Sequence, residues 1–231
     1  IIERQIIAME PGVIDSIEGV LNLIRERDMM LKPLGGMWGY GIYLLSYKQG
    51  NYEVDGKAVT EDHLKEFVIS KSNCALCDRV LQSNITGSFY NNTLNTLRVL
   101  SLINPENGEP FIAGAVQRIG TSNSFPVDNF HRGGIASNID LVTGEYSSAA
   151  SIFPVKEGLT WHDKHPETNV PIKGFINKKW PEIESLILLL ARKFTFHRII
   201  AWDVAIDKND KVVIIEGNTG ADPKIHQIHK P

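Results

Sequence analysis

Two periods of apolar residues run through this chain of 231 residues, and they predict different elements. The helical period appears three times. Asp15–Arg27 (DSIEGVLNLIRER) places Ile17, Val20, Leu21 and Ile24 on one stripe, with Asp15 or Ser16 as its cap. Thr60–Ser70 reads as a short helix capped by Thr60, and Trp180–Phe194 as a longer one with Pro181 in its first turn. Elsewhere short apolar or alternating runs predict strands: Met29–Leu34, Ile42–Tyr47, a polar hairpin over Gln49–Val59, Asn73–Gln82 leaving toward a hinge, Asn95–Ile103, Phe111–Gly120, and a hairpin of Ile139–Leu141 with Tyr146–Ile152 about Thr143-Gly144. Thr121–Asn138 is read as a long, polar, mobile loop and Lys156–Pro171 as irregular. Strands dominate, with three helices and no repeats, which predicts an α+β fold.

The stretch Ala201–Asn218 (AWDVAIDKNDKVVIIEGN) reads as a hairpin: Ala201–Ile206, a turn cluster Asp207-Lys208-Asn209-Asp210, then Val212–Ile215. Antiparallel pairing brings the end of the second strand beside the start of the first, so Asp203 can meet Glu216 and Asn218, which follow that strand. Two carboxylates and an amide oxygen form a hard-oxygen set suited to Mg²⁺, an ion that also keeps phosphate oxygens among its ligands. The alternative is a solvated hairpin with incidental acids.

A second chemical signal precedes it. Lys32 lies just before Gly35-Gly36-Met37-Trp38-Gly39-Tyr40-Gly41, in which four of seven residues are glycine, and a strand follows. Strand, glycine loop, strand makes a flap whose backbone N–H groups can approach an anion closely. No Gly-Lys-Ser/Thr and no helix follow, which excludes a Walker loop and a dinucleotide fingerprint. Arg98 and Arg118 stand inside strands, where an inward-facing guanidinium must find an anion or a carboxylate. The long loop adds Asp128, Asn129, His131, Arg132 and Gly133-Gly134, and favours a substrate or phosphate loop over disorder.

Composition narrows the partners. Hydrophobic residues make up 42% and charged residues 22%, with a formal net charge of −3, so a real core is expected and a nucleic-acid partner is not. No apolar run approaches the ~18 residues of a membrane span, the richest segment, Ile183–Leu190, being short and broken by Glu184 and Ser185, so no membrane insertion is expected. The start IIERQIIAMEPG carries charges, no signal-type apolar region and no initiator Met, and the chain reads as a piece of a longer one. Cys74 and Cys77 have no second pair and read as buried structural thiols of a reducing compartment. The pairs His162/His165 and His226/His229 are weak metal signals and read as ordinary loop histidines.

Taken in order, Lys32-Pro33, the glycine flap, a strand with Arg98, and Asp203 followed by Glu216-Gly217-Asn218 resemble the ATP-grasp superfamily. NTLRVLSL, VDNFHRGGIASNIDLVTG and AWDVAI…IEGN are similar to its sugar-transfer-associated family, related to α-L-glutamate ligases. The resemblance covers Asp28 to the end. It implies two mainly antiparallel α+β subdomains holding ATP between them: a small lid subdomain over residues 1–80 with the flap, and a large one over 81–231 with the metal site. Lys32 would bind the ATP phosphates under Gly35, Gly36, Gly39 and Gly41. The hinge at Cys77, Asp78, Arg79 and Val80 would hold adenine through backbone groups, Cys77 beside Asp78 replacing the usual acidic residue. Asn95 would take the ribose. Arg98, Arg118 or Arg132 would stabilise the transferring phosphoryl group, since Ala201 stands where many ligases have an arginine. Asp203, Glu216 and Asn218 would hold one or two Mg²⁺, or Mn²⁺. Members usually carry a further N-terminal domain, whereas only residues 1–27 precede the Lys32 strand here.

Three functions stay open at this point. The first is an ATP- and Mg²⁺-dependent carboxylate–amine ligase working through an acyl phosphate, in the cytoplasm, on a small carboxylate or sugar-linked acceptor of cell-surface polysaccharide or sugar metabolism. The second is a kinase of the same fold acting on a hydroxyl or sugar, with His131 as base or phospho-acceptor. The third is a nucleotide-binding module without turnover.

Overall fold

The computed structural model describes residues 16–34, 39–71, 73–152, 158–220 and 224–229. Compact units meet at Val80/Leu81. All strand pairing in both is antiparallel.

In the smaller unit, α1 (Ile17–Glu26) starts where expected: the Ser16 hydroxyl accepts from Gly19 N at 3.2 Å, and Val20, Leu21 and Ile24 are buried. Strands β1 (Met29–Pro33), β2 (Tyr43–Lys48), β3 (Asn51–Val54), β4 (Lys57–Val59) and β5 (Cys74–Asp78) form one sheet in the order β4-β3-β2-β1-β5. Helix α2 (Glu61–Ser70) is capped by Thr60, which accepts from His63 N. The core is Leu21, Ile24, Met29, Leu31, Leu45, Tyr52 and Leu64. β1 pairs with both β2 and β5, so Lys32 stands on a central strand opposite Ala75.

The larger unit opens with the single turn α3 (Asn84–Gly87) and continues into β6 (Leu97–Ile103), β7 (Pro110–Ile119), β8 (Ile135–Ile139), β9 (Tyr146–Ser151) and β10 (Thr160–His162). Helix α4 (Trp180–Lys193), the hairpin β11 (Ile199–Ile206) with β12 (Val212–Asn218), and a last turn α5 (Lys224–Gln227) complete it. The seven strands are ordered β10-β9-β8-β7-β6-β11-β12, so the final hairpin adds to β6 rather than to its sequence neighbours. Two expectations change here. β8 begins at Ile135, inside the stretch read as loop, and β10 lies inside the stretch read as irregular. Each is a short strand paired to a β9 that the pattern did predict, so partners and not local periodicity define them.

Alternation along β11 divides the sheet. Trp202, Val204 and Ile206 join Val99, Ala115 and the α4 residues Trp180, Ile183, Ile187 and Leu190 in the core. Asp203, between Trp202 and Val204, therefore points to the opposite face. Trp180, 1% exposed, anchors that core, and its indole N–H donates to Leu141 O at 2.8 Å. Trp180→Ala should lower stability by about 3–5 kcal/mol, from the cavity plus a carbonyl left without its donor. Urea denaturation of the two proteins measures it.

Candidate functional site

Strand register assembles the site in the larger unit. Asp203 of β11 is the direct partner of Arg98 on β6 and of Glu216 on β12, so Glu216, Asp203 and Arg98 form one row across three strands. A bulge between Asp203 and Val204 leaves Ile215 as the extra residue of β12 at this point. Arg118 follows on β7, two residues beyond Val116, the partner of Arg98, and so on the same face. Glu216 and Asn218 lie within β12 and do not follow it; Asn218 Nδ2 donates to Glu216 Oε1 at 3.0 Å.

Asp203 is 3% exposed and both its oxygens are engaged. Arg98 Nε donates to Oδ1, Arg98 Nη2 donates to Oδ2 at 3.0 Å, and Arg118 Nη2 lies 3.0 Å from Oδ2. Burial pushes this carboxyl up, but the charges of Arg118 and Arg98 and the Arg98 hydrogen bond outweigh it and hold the group below the usual carboxylate range. Of the two strand alternatives for Arg98, it is the carboxylate partner that the structure provides.

A second layer joins Asp128 and Arg118 through Thr96, the one member that sequence did not single out. Thr96, just before β6, donates its backbone N–H and its hydroxyl to Asp128 Oδ2, both at 2.7 Å. The same hydroxyl accepts from Arg118 Nε at 3.0 Å and also from Arg118 Nη2, which lies 3.5 Å from Asp128 Oδ1. Asp128 is 5% exposed, and burial pushes its carboxyl up despite the nearby Arg118 charge and the Thr96 hydrogen bonds. Asp128 is thirty-two residues from Thr96 in sequence, so no local pattern announces the contact.

The loop carrying Asp128 is packed, which corrects the expectation of a mobile segment. Thr121 Oγ1 donates to Gly133 O at 2.8 Å, and Ser124 and Phe130 are buried. A 3₁₀ turn, Phe130–Arg132, presents His131 at the surface and leaves Arg132 half-buried; neither touches Asp203 through any described hydrogen bond or ion pair. Asn95 is corrected too. Its amide donates to Thr86 O and Tyr90 O, and its carbonyl accepts from Thr93 Oγ1 and Gly120 N, so all four hydrogen-bonding positions are spent inside the fold and none is left for a ribose.

In the smaller unit Lys32 lies beside β5, close enough for its charge to act on Cys77, whose thiol burial nonetheless pushes up. Cys74 and Cys77 are free and half-buried, where full burial was expected. Asp78 pairs with Arg27 at 2.7 Å, and Arg79 with Asp28 at 2.7 Å. Those side chains are thus occupied, Cys77 and Asp78 pair with Met30 and Met29 of β1, and the Arg79 backbone N–H donates to Asp28 O at 3.2 Å. Gly39 and Gly41 adopt positive φ, 71° and 75°; Gly35 and Gly36 lie outside the described residues.

His165, His226 and His229 are each packed against the fold. His165, fully buried, donates from Nε2 to Gly120 O at 2.8 Å and accepts at Nδ1 from Glu167 and Thr168 N–H groups. Burial lowers its pKa, outweighing the Gly120 bond. His226 packs against Gly114 and His229 against the Trp161 ring. Among the described residues no three His, Cys, Asp or Glu side chains gather as a metal cluster, and no helix is long and apolar enough to cross a membrane.

The profile of the sugar-transfer-associated ATP-grasp family matches residues 2–230. The chain belongs to that family. No curated protein matches it significantly. Among solved structures, this ATP-grasp chain is similar to a Chryseobacterium gregarium RiPP-associated ATP-grasp ligase in complex with ADP and a leader and core peptide, at 13% identity and TM-score 0.45 over 93% of this chain and 47% of that one. It is also similar to the ATP-grasp ligase PsnB complexed with minimal precursor, at 13% identity and TM-score 0.39, over 91% of this chain and 45% of that one. The chain thus spans about half the length of those ligases.

The charge network predicts an acid limb of stability. Because Asp203 is held below its unfolded value, its contribution is complete above the unfolded carboxylate pKa of about 3.9 and is lost as pH falls through the folded one. Asp203→Asn, which leaves two guanidiniums short of their partner, should cost about 3–5 kcal/mol at neutral pH. Urea titrations should show the gap between wild type and variant narrowing from about pH 5 to pH 3. A constant gap over that range would show that the carboxylate charge is not what stabilises.

Proposed function

We infer that the chain is an ATP-dependent carboxylate–amine ligase of its family, acting through an acyl phosphate on a small carboxylate or sugar-linked acceptor. What carries this reading is the row Glu216, Asp203 and Arg98 with Arg118 beside it: carboxylates and guanidiniums fixed on one sheet face, the arrangement phosphoryl transfer uses. A site for charge neutralisation needs little else, because a carboxylate nucleophile is already ionised at neutral pH and requires no strong base. The absence of a nucleophile–base pair among these residues accords with that.

The donor set fits a hard cation. Asp203 and Glu216 are strand partners, their interaction is among the causes that lower the Asp203 pKa, and the Asn218 amide is attached to Glu216. Glu216 is exposed, so it and Asn218 would offer oxygens to Mg²⁺ or Mn²⁺, and Asp203, whose oxygens face Arg98 and Arg118, would join them by giving up part of one of those contacts. A divalent ion there supplies charge neutralisation for phosphate oxygens. Lys32 would contact phosphate, with Gly39 and Gly41 giving the flap its turn, and backbone groups of Cys77–Val80 would take the adenine. Arg98 and Arg118 would supply positive charge as the transferring phosphoryl group gains negative charge, a contribution commonly worth about 3–4 kcal/mol. The acceptor carboxylate oxygen bonds to the γ-phosphorus as the β–γ bridge breaks and ADP leaves. An amine then bonds to the acyl carbon, losing a proton as phosphate departs. ATP supply and free thiols suit the cytoplasm.

The test is ADP release by this chain across amino acids, sugars and polyols, with hydroxylamine present. An acyl phosphate gives a hydroxamate, whereas ADP release with a phosphorylated alcohol and no hydroxamate would make the protein a kinase. Glu216→Gln is the cleaner metal-site variant, since Asp203 also holds the fold together, and it should reduce turnover by about 10²-fold or more with the melting temperature unchanged. Lys32→Ala should weaken ATP binding by about tenfold, and unaltered affinity would remove Lys32 from the phosphate site.

A further inference from the structure

Arg118 is the guanidinium least able to move in this network, and the reason lies outside the row of Glu216, Asp203 and Arg98. Its Nη2 group faces Asp203 at 3.0 Å on one side and Asp128 at 3.5 Å on the other. Its Nε donates to Thr96 Oγ1 at 3.0 Å, and that hydroxyl has one proton, which it gives to Asp128 at 2.7 Å. The direction of both bonds is therefore fixed, from Arg118 to Thr96 to Asp128, because a guanidinium can only donate and an ionised carboxylate only accept. The Thr96 backbone closes the arrangement: its N–H donates to Asp128, and its carbonyl accepts from Arg118 N at 2.8 Å.

We propose that Asp128, acting through the Thr96 hydroxyl, is a positioning residue that sets the Arg118 guanidinium against Asp203, and that it thereby ties the Thr121–Gly134 loop to the nucleotide site. The inference rests on the nucleotide reading above. Without Asp128 the Thr96 hydroxyl has no acceptor that fixes its proton, and it can turn that proton toward Arg118, where it repels. Without the hydroxyl, Arg118 Nε loses its acceptor in a place too buried for water to replace it. Asp128 touches no substrate in this account. It acts on Arg118 alone, and Arg98 keeps its own bidentate contact with Asp203.

Three variants separate positioning from mere support of the loop: Asp128→Ala, which removes the acceptor of the Thr96 hydroxyl, Thr96→Val, which keeps the volume and removes the hydroxyl, and Thr96→Ser, which restores the hydroxyl. Hydrogen exchange at the Arg118 and Arg98 Nε–H groups, followed by NMR, is read first, and Mg·ADP affinity by calorimetry second. Arg118 exchange should be slow in wild type and Thr96→Ser and at least about tenfold faster in Thr96→Val and Asp128→Ala, with Arg98 unchanged. Mg·ADP affinity should fall about tenfold in the same two variants and stay within about twofold in Thr96→Ser. Equal Arg118 exchange in all four proteins overturns the proposal. So does a loss of affinity that follows melting temperature and not the hydroxyl. If wild type binds no Mg·ADP, the nucleotide reading fails, while the exchange measurement still decides whether the relay holds Arg118.

Discussion

A carboxylate with almost no solvent contact, gripped by two guanidiniums on neighbouring strands, sets the terms for the larger unit. Removing Asp203 from water costs several kcal/mol, and only good geometry from Arg98 and Arg118 offsets it. That geometry needs β6, β7 and β11 to hold one register, because a slip by one residue would send Asp203 into the face occupied by Trp202 and α4. The charge network and the apolar core are thus opposite sides of the same three strands. Each specifies the register the other requires.

The core side is built to be unforgiving. Trp202 donates its indole N–H to Ser101 Oγ at 2.8 Å, and Gly217, its strand partner, has no side chain because an added Cβ would lie 3.2 Å from the Trp202 ring. That glycine separates Glu216 from Asn218, so the Glu-Gly-Asn spacing places two polar side chains on the site face around a position where a side chain would crowd the indole. On the site face the bulge at Ile215 makes the local turn of strand that brings Glu216 level with Asp203. Packing on one face and the spacing of Glu216 and Asn218 on the other are consequences of a single strand geometry.

Local chemistry was legible in the sequence, and partnership at a distance was not. Ser16, Thr60 and Pro181 marked their helices because a cap or a fixed φ is a property of a few adjacent residues. The meeting of Asp203 with Glu216 could be read because a hairpin's turn determines its register. β8 and β10 could not, since short strands of small and polar residues such as Ile135–Ile139 exist by virtue of their neighbours. Asn95 looked available beside a strand, and only the fold shows its amide stitching Thr86, Tyr90 and Gly120 together. Asp128 was legible only as one polar residue of a candidate phosphate loop, and Thr96 not at all, because their meaning arises from Arg118, which reaches them from a third segment.

Stability alone does not ask for this cluster. Exchanging a buried ion network for packed apolar residues of similar volume is commonly neutral or stabilising. The same strands already show, on the α4 face, how well Ile, Val and Trp fill such a surface. What apolar residues cannot do is hold positive charge at fixed positions beside exposed carboxylate oxygen, with no reorganisation left to make when a polyanion arrives. With Glu216 counted, the ionised carboxylates exceed the guanidiniums by one, and the surplus lies at the solvent edge of the row, where a cation can enter. The inner charges compensate one another and lock the geometry. The outer one is left open, and that asymmetry is what the proposed metal and polyphosphate site would use.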